Sequence, residues 1–280
     1  MAVRIVTDSS ADLPRELVEQ LGIVVVPLTV RFGDEEFVDG YDLSPREFWS
    51  RCSRSAVLPE TAAPLPGLFA ETYEKLAAEG ADEIVSLHIS AKLSGTIQSA
   101  ETARLEVDVP VTTFDTASVS AGQGVLVRVA ARMAASGCPA TEVLATLEAK
   151  RGRLELHACL DTLEYLRKGG RIGGARALLG SMLGVKPLIT MESGAVTAEG
   201  RVRTRGKALV SLVECMKTHA PVEGVAVMHG SAPDLEEFLE MLEPQTMGDV
   251  VVSEVGAVVG THVGPGAIGV AYLRGAPVRG

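Results

Sequence analysis

The sequence predicts an α/β protein made of two parts, on the strength of two observations. Apolar runs of strand length alternate with stretches whose apolar residues recur at helical spacing, a pattern typical of parallel sheets flanked by helices. Near residue 157 the character of the chain changes, because a strand leads into a glycine-rich loop. We therefore place the domains at 1–157 and 158–280 and expect them to share a ligand-binding cleft.

In the first half, strands are expected at 4–6, 23–32, 83–89 and 111–114. The segment SPRE at 44–47 is a capping box with proline at the first helical position, so a helix should follow it. Apolar spacing adds two more helices, at 68–78 and 121–135.

The second half repeats this alternation with more turns. A strand begins at Arg153, and a turn at 192–194 joins two further strands. The remaining expected elements are a small-residue helix at 175–183, helices at 207–218 and 233–242, and strands at 225–229, 250–255 and 267–273.

Composition excludes several classes of function. The formal net charge of −10 argues against a nucleic-acid partner, because duplex binding depends on clustered Lys and Arg. The chain begins directly with a strand pattern and has no apolar run approaching the ~20 residues of a spanning helix, so we expect a cytoplasmic protein. No metal or cofactor is expected either, because the cysteines lack metal-binding or redox spacing: Cys52, Cys138, Cys159 and Cys215.

The most informative segment is 161–174, where a short amphipathic helix leads into GGRIGG. Glycines allow positive φ and close backbone approach, and Arg171 between them presents a fork that suits a carboxylate or phosphate. We see no packing requirement for so many glycines. The alternative is a plain loop with a solvated arginine.

A second candidate is Ser94-Gly95-Thr96, which follows an apolar strand and precedes a helical pattern. Its hydroxyls and backbone amides would stand at a helix N-terminus, a position that binds anions. Alternatively, Ser94 is only an N-cap, worth about 1 kcal/mol to the helix.

Familiar catalytic and nucleotide-binding motifs are missing from the sequence. GPGAIG at 264–269 fits GxGxxG, but the strand, helix and acidic residue of a dinucleotide site do not surround it. The segment 200–207 has the wrong spacing for a phosphate loop, and no GxSxG or HExxH occurs. Asp8 could act as a general base, although Asp in such a loop more often bonds local backbone.

Four segments in this order and spacing resemble the DegV family: 3–14, 89–100, 161–174 and 262–269. The resemblance covers the whole chain. Characterised members of that family are fatty-acid-binding subunits of a bacterial fatty acid kinase. It implies a Rossmann-like N-terminal lobe with a parallel sheet and a C-terminal α/β lobe with a mixed sheet, with the ligand between them.

The resemblance also implies site residues. The LSGT segment would meet the fatty acid carboxylate through Ser94, Gly95 and Thr96, together with Thr61 and His262. Arg171 and Arg203 would lie at the tunnel mouth and support the kinase or phosphotransfer. The chain departs from the family at Ala62 and Ala63, which stand where the family has Ser and Gln, so no polar contact is expected there.

The first functional hypothesis is therefore a carrier and not an enzyme. It encloses a long-chain fatty acid in an apolar tunnel and presents the carboxylate to a separate ATP-dependent kinase, with transient membrane contact left open. Residues 177–184 suit a helix along the acyl chain, although core packing explains them equally well. The alternative is an enzyme acting on a small hydrophobic acid in the same cleft, with Asp8 or His262 as base.

Overall fold

The structure is a computed structural model that describes residues 2–55, 57–181, 184–243, 246 and 250–275. Within these ranges the strands are β1 (Val3–Asp8), β2 (Val24–Val26), β3 (Thr29–Phe32), β4 (Glu35–Val38), β5 (Glu60–Ala62), β6 (Glu83–His88), β7 (Val111–Asp115), β8 (Leu154–Cys159), β9 (Lys186–Glu192), β10 (Ala195–Val202), β11 (Val222–His229), β12 (Val251–Glu254) and β13 (Ile268–Arg274). The α-helices are α1 (Arg15–Leu21), α2 (Pro45–Cys52), α3 (Pro66–Ala78), α4 (Thr96–Ala103), α5 (Ala121–Ala135), α6 (Ala140–Arg151), α7 (Glu164–Lys168), α8 (Arg205–Thr218), α9 (Leu235–Leu242) and α10 (Ala257–Val263).

The N-terminal part contains a parallel sheet in the order β2-β1-β6-β7. One face packs against α3 and α4 through an apolar cluster that includes the fully buried rings of Phe69 and Tyr73. The four strands run in the same direction, so their carboxyl ends lie at one edge of the sheet. Ligands of such sheets usually bind at this edge.

The C-terminal part contains a mixed sheet in the order β10-β9-β8-β13-β11-β12. Its pairs are antiparallel except β11 with β12. Helices α8 and α9 cover one face, where Phe238 and Leu212 are buried. The parallel and mixed sheets confirm the predicted fold class.

Helix α5 lies between the two sheets and contacts β1 on one side and β8, β11 and β13 on the other. It is buried almost all round over its first eight residues, as expected for a helix without a solvent face. The largest apolar cluster of the structure runs through it from one sheet to the other. The predicted boundary after residue 157 falls inside β8, and the division into two domains stays a prediction.

The structure corrects two predicted elements. The single strand at 23–32 is wrong, because Pro27 interrupts it and β2 and β3 join different sheets. Proline cannot donate to a strand ladder, and the next amide, of Leu28, donates to Ser9 Oγ at 3.1 Å. The helix at 175–183 is a 3₁₀ segment, Gly173–Ser181, and residues 182–183 lie outside the described residues.

Two helices, α6 and α10, were not predicted. Within the described ranges, every helix is too short or too polar to span a bilayer.

Candidate functional site

A cavity lies between the carboxyl edge of the parallel sheet and one face of the mixed sheet. It encloses about 1030 Å³ of space between atoms, a volume that includes its solvent-open mouth. Most of the lining is aliphatic: Leu28, Ala62, Ala63, Ile89, Leu93, Val119, Leu156, Ala158, Leu160, Leu166, Ile189, Met191, Val196, Met228, Val255, Val258, Val259, Val263, Ala267 and Ile268. Among the lining residues that the structure describes, only Arg171 and His262 have side chains that can carry a positive charge.

Thr61 and His262 meet at the wall of this cavity although 201 residues separate them. Thr61 lies on β5, which pairs with β3, and His262 lies in the last turn of α10. The distance from Thr61 Oγ1 to His262 Nε2 is 3.1 Å. Burial, together with the nearby Arg171 guanidinium, lowers the pKa of His262 to about 4. The imidazole is therefore neutral at physiological pH.

Helix α10 is held at its start by two carboxyl groups from the N-terminal part. Gly256 N donates to Asp12 Oδ1 at 2.9 Å, and Ala257 N donates to Asp39 Oδ1 at 3.1 Å. These bonds satisfy amides that a helix leaves unpaired at its N-terminus. Burial raises the pKa of Asp12 to about 8 and that of Asp39 to about 6. Through the two hydrogen bonds, both carboxyl groups fix the start of the helix that carries His262.

The Ser94-Gly95-Thr96 segment forms the turn into α4, as predicted. Ser94 Oγ lies 2.8 Å from Thr96 Oγ1 and accepts a bond from Thr96 N at 3.3 Å. Gly95, and not Ser94, is the N-cap of the helix. Ser94 and Gly95 line the cavity, whereas Thr96 is fully buried behind Ser94.

Arg171 connects this turn to the glycine-rich loop. Its Nε donates to Leu93 O at 3.0 Å, and one terminal nitrogen donates to Gly169 O at 2.7 Å. The other terminal nitrogen is used in neither bond. The guanidinium is half-buried and lines the cavity, so Thr61, Ser94, Arg171 and His262 form one group, which we call the open cluster.

The glycines of this loop do have a packing requirement, contrary to the expectation from the sequence. A Cβ on Gly169 would overlap Nδ1 of His262, and one on Gly173 would overlap the carbonyl oxygen of Val196. Gly173 also has a φ of +48°, in the left-handed region. Close approach to α10 and β10 therefore explains two of the four glycines.

Arg203 lies apart from the open cluster. It is exposed, follows the end of β10 and is not among the lining residues. The glycine-rich loop touches β10 at Thr197, so at about 3.3 Å per residue Arg203 is roughly 20 Å further along the strand. Within 177–184, residues 177–179 do not line the cavity, and residues 182–183 lie outside the described residues.

Two polar lining residues were missed by sequence reasoning, Ser120 and Thr190. Ser120 Oγ donates to Asp12 Oδ2 at 2.5 Å, and Thr190 Oγ1 donates to Leu156 O at 2.9 Å. Both hydroxyl protons are thus already used by the protein. No sequence signal distinguishes these residues from ordinary strand and turn residues.

Asp8, the alternative general base, lies in a second polar cluster. His88 Nδ1 is 2.9 Å from Asp8 Oδ2, and His88 Nε2 is 2.7 Å from Ser86 Oγ, which accepts a bond from Tyr73 OH at 2.8 Å. The order of Ser, His and Asp resembles a hydrolase triad. All four side chains are fully buried and none lines the cavity, so Asp8 is not placed to act on a ligand there.

Comparisons with known proteins agree with this architecture. The sequence model of the DegV family matches residues 2–275. A DegV domain-containing protein from Streptomyces coelicolor is 43% identical over 274 residues, which are 96% of this chain and 97% of the relative. The chain belongs to the DegV family.

Solved structures of the family share the fold over nearly the whole chain. A DegV family protein from Thermus thermophilus, described as fatty-acid binding, has a TM-score of 0.91 and 36% identity, covering 98% of this chain and 100% of its own. A stearic-acid-binding protein from Eubacterium ventriosum has a TM-score of 0.87 and 26% identity, covering 97% and 98%. These relatives confirm the family that the sequence motifs indicated.

Proposed function

We propose that this chain binds one long-chain fatty acid in the cavity and presents its carboxylate to a separate ATP-dependent kinase, which forms the acyl phosphate. The carboxylate would meet Thr61, Ser94, the backbone of Gly95 and His262, with Thr96 supporting Ser94. The chain itself would be a cytoplasmic carrier and not an enzyme.

The observation that carries this proposal is the distribution of polarity in the cavity. The open cluster gathers two hydroxyls, an imidazole and a guanidinium, and the rest of the lining is largely aliphatic. No Asp or Glu stands among the described lining residues, so an entering carboxylate meets no like charge. A molecule with one acidic end and a long apolar remainder suits this arrangement.

Energies of burial and of hydrogen bonding indicate different roles for the aliphatic lining and the open cluster. Each buried methylene contributes about 0.8 kcal/mol, so a chain of about fifteen supplies at most ~12 kcal/mol before ordering costs. A hydrogen bond to a charged group contributes about 1.5–3 kcal/mol. The aliphatic lining would therefore determine affinity, and the open cluster would orient the carboxylate.

Presentation to a kinase requires that a carboxylate oxygen stay accessible. Gly95 is exposed at the cavity, and Arg171 already uses part of its fork on two backbone carbonyls. The remaining donor can support a phosphoryl group without sealing the carboxylate. Arg203, which is exposed and outside the cavity lining, would contact the kinase and not the fatty acid.

The test combines calorimetry against palmitate and oleate with an acyl phosphate assay that contains the partner kinase and ATP. We expect Arg171→Ala and Arg203→Ala to bind fatty acid within about threefold of the wild type but to lose most turnover. For Arg171 the reason is the loss of a donor to the phosphoryl group, which is worth about 10²–10³ in rate, and for Arg203 it is the loss of a contact with the kinase. Arg201→Ala, an exposed neighbour, is the matched control and should keep full turnover. Equal turnover in all variants would refute the kinase role of the two arginines, and absence of fatty acid binding by the wild type would refute the carrier itself.

A further inference from the structure

A third polar cluster lies on the face of the mixed sheet that is turned away from the cavity. Leu156 and Ala158 of β8 line the cavity, so His157 between them points to the opposite face. There it meets Glu199 of β10 and Cys215 of α8. One nitrogen, one oxygen and one sulfur of these residues all lie within 4.8 Å of one another.

The distances within this cluster are close to those of a metal centre. His157 Nδ1 is 2.8 Å from Glu199 Oε1, and Cys215 Sγ is 3.3 Å from the same oxygen. With bonds of about 2.0 Å to nitrogen and oxygen and about 2.3 Å to sulfur, tetrahedral zinc holds its ligands about 3.3–3.6 Å apart. These two distances would each have to lengthen by about 0.5 Å or less to admit the ion.

The surroundings of His157 also fit a metal ligand. The residue is only 5% exposed, and its Nε2 is buried without a hydrogen-bond partner among the described residues. That nitrogen lies 3.7 Å from Glu155 Oε2, while Arg274 Nε holds the other oxygen of Glu155 at 3.0 Å. Metal at Nδ1 would fix the proton on Nε2 and direct it toward this carboxylate, the outer arrangement that histidine ligands commonly have.

Two further features fix the geometry of the ligands. Pairing of β10 with β9 shifts register between Ala198 and Gly200, which leaves Glu199 at a bulge. Bulges redirect a side chain. The ring of Tyr272 stacks on that of His157, with centroids 5.8 Å apart and planes at 21°. The three ligands thus come from a strand, a bulge and a helix, each packed in place.

We infer that His157, Glu199 and Cys215 bind one zinc-type divalent ion, with water as the fourth ligand. Thiolate and imidazole favour zinc, whereas magnesium and calcium prefer oxygen ligands only. The Glu199 side chain is 23% exposed, which gives a water access to the fourth position. Binding forms three bonds from protein to metal, and the thiol proton of Cys215 passes to the buffer. The ion would join β8, β10 and α8 on the side away from the cavity.

The experiment uses tag-free protein stripped with EDTA and then reloaded with zinc or cobalt alone. We expect about one zinc per chain by elemental mass spectrometry and a thiolate-to-cobalt charge-transfer band in the near ultraviolet. Cys215→Ser should lose the band and bind zinc at least tenfold more weakly, whereas Cys138→Ser, at another partly buried thiol, should match the wild type. Glu155→Gln should weaken zinc binding by about 10–100-fold, the usual effect of an outer partner.

Wild-type protein without stoichiometric zinc and without the cobalt band would overturn the inference, and this result needs no variant to fold. A band of equal intensity in Cys215→Ser would overturn it too. Fatty acid content is measured on the same samples, and it should not depend on the metal, so the inference and the proposed carrier function fail or succeed separately.

Discussion

Two of the histidine clusters of this molecule have similar chemistry but differ in whether their hydrogen-bonding groups already have partners within the protein. In the closed cluster of Asp8, Ser10, Tyr73, Ser86 and His88, every side chain is fully buried. In the open cluster of Thr61, Ser94, Arg171 and His262, every side chain is half-buried and lines an aliphatic cavity.

The hydrogen bonds of the closed cluster are saturated. Asp8 accepts bonds from Ser10 through both backbone and hydroxyl, from Ile89 N and from the His88 ring. Burial opposes its ionisation, but these bonds and the His88 imidazole hold the pKa of Asp8 below its usual range. Such a network fixes the ends of β1 and β6 and has no capacity for a ligand.

The open cluster contains a hydrogen-bond donor that no described residue of the protein uses. One terminal nitrogen of Arg171 is outside its two backbone bonds, whereas His262 Nδ1 is buried against Gly169 and has no hydrogen-bond partner among the described residues. The open cluster therefore differs from the closed one in its access to the cavity and in its unused hydrogen-bonding groups. Residue types alone, including a Ser-His-Asp chain, would favour the closed cluster as the binding site.

The largest expected effect comes from breaking the closed cluster. Asp8→Asn removes the carboxylate that pairs with His88. It also places a side-chain amide, which can itself donate, next to the N–H of Ile89, which in the wild type donates to the carboxylate. We expect the free energy of unfolding to fall by about 3–5 kcal/mol, the cost of removing one partner of a buried pair. Urea unfolding followed by circular dichroism measures it, and fatty acid affinity of the folded variant should change less than threefold. A stability equal to that of the wild type would show that the network is not structural.

The next effect is the pH response of His262. Its pKa in the folded chain is about 4, below the ordinary value of 6.5. Between pH 4 and pH 6.5 the ring is therefore protonated in the unfolded chain and neutral in the folded chain. The stability that depends on the neutral ring is therefore complete above pH 6.5 and is lost as pH falls through 4, a loss of about 3 kcal/mol at 1.36 kcal/mol per pKa unit. Urea unfolding at several pH values should show this slope in the wild type and not in His262→Gln. An NMR titration of the ring with a midpoint near 6.5 would contradict the prediction.

The smallest effects concern the hydroxyls of the open cluster. Thr61→Val and Ser94→Ala should each weaken oleate binding by about 1.5–3 kcal/mol, the value of one hydrogen bond to a charged group. Each should lower the free energy of unfolding by at most about 1.5 kcal/mol, the value of one ordinary hydrogen bond. Thr190→Val is the matched control, because that hydroxyl also lines the cavity but already donates to Leu156 O. Calorimetry on delipidated protein should show at most a threefold change in this control. Equal losses in all three variants would place the carboxylate elsewhere in the cavity.

Much of the fold could be predicted because its signals are local. The capping box at Ser44 is complete in the structure, with the Ser44 and Glu47 side chains each bonded to the other's backbone. Helix α5 has the predicted bounds, 121–135. Caps and apolar spacing act within a few residues, so sequence alone reveals them.

The site could not be assembled in this way. Helix α10, AVVGTHV, is rich in residues that favour strands, and it is held by Asp12 and Asp39 from more than 200 positions away. Thr61 and His262, which are in contact, are separated by a similar number of positions in the sequence. Composition and spacing carry no information on such contacts, and only the resemblance to a family pointed to these residues.

Fatty acid content of the purified protein decides the carrier function. Extraction of wild-type protein from bacteria, followed by mass spectrometry, should yield about one long-chain fatty acid per chain. Ala158→Phe, which fills the aliphatic part of the cavity, should yield almost none, whereas Ala145→Phe, at an exposed position of α6, should match the wild type. Wild-type protein that releases no fatty acid and takes up no added oleate, or an Ala158→Phe variant that is as fully loaded as the wild type, would contradict the proposal.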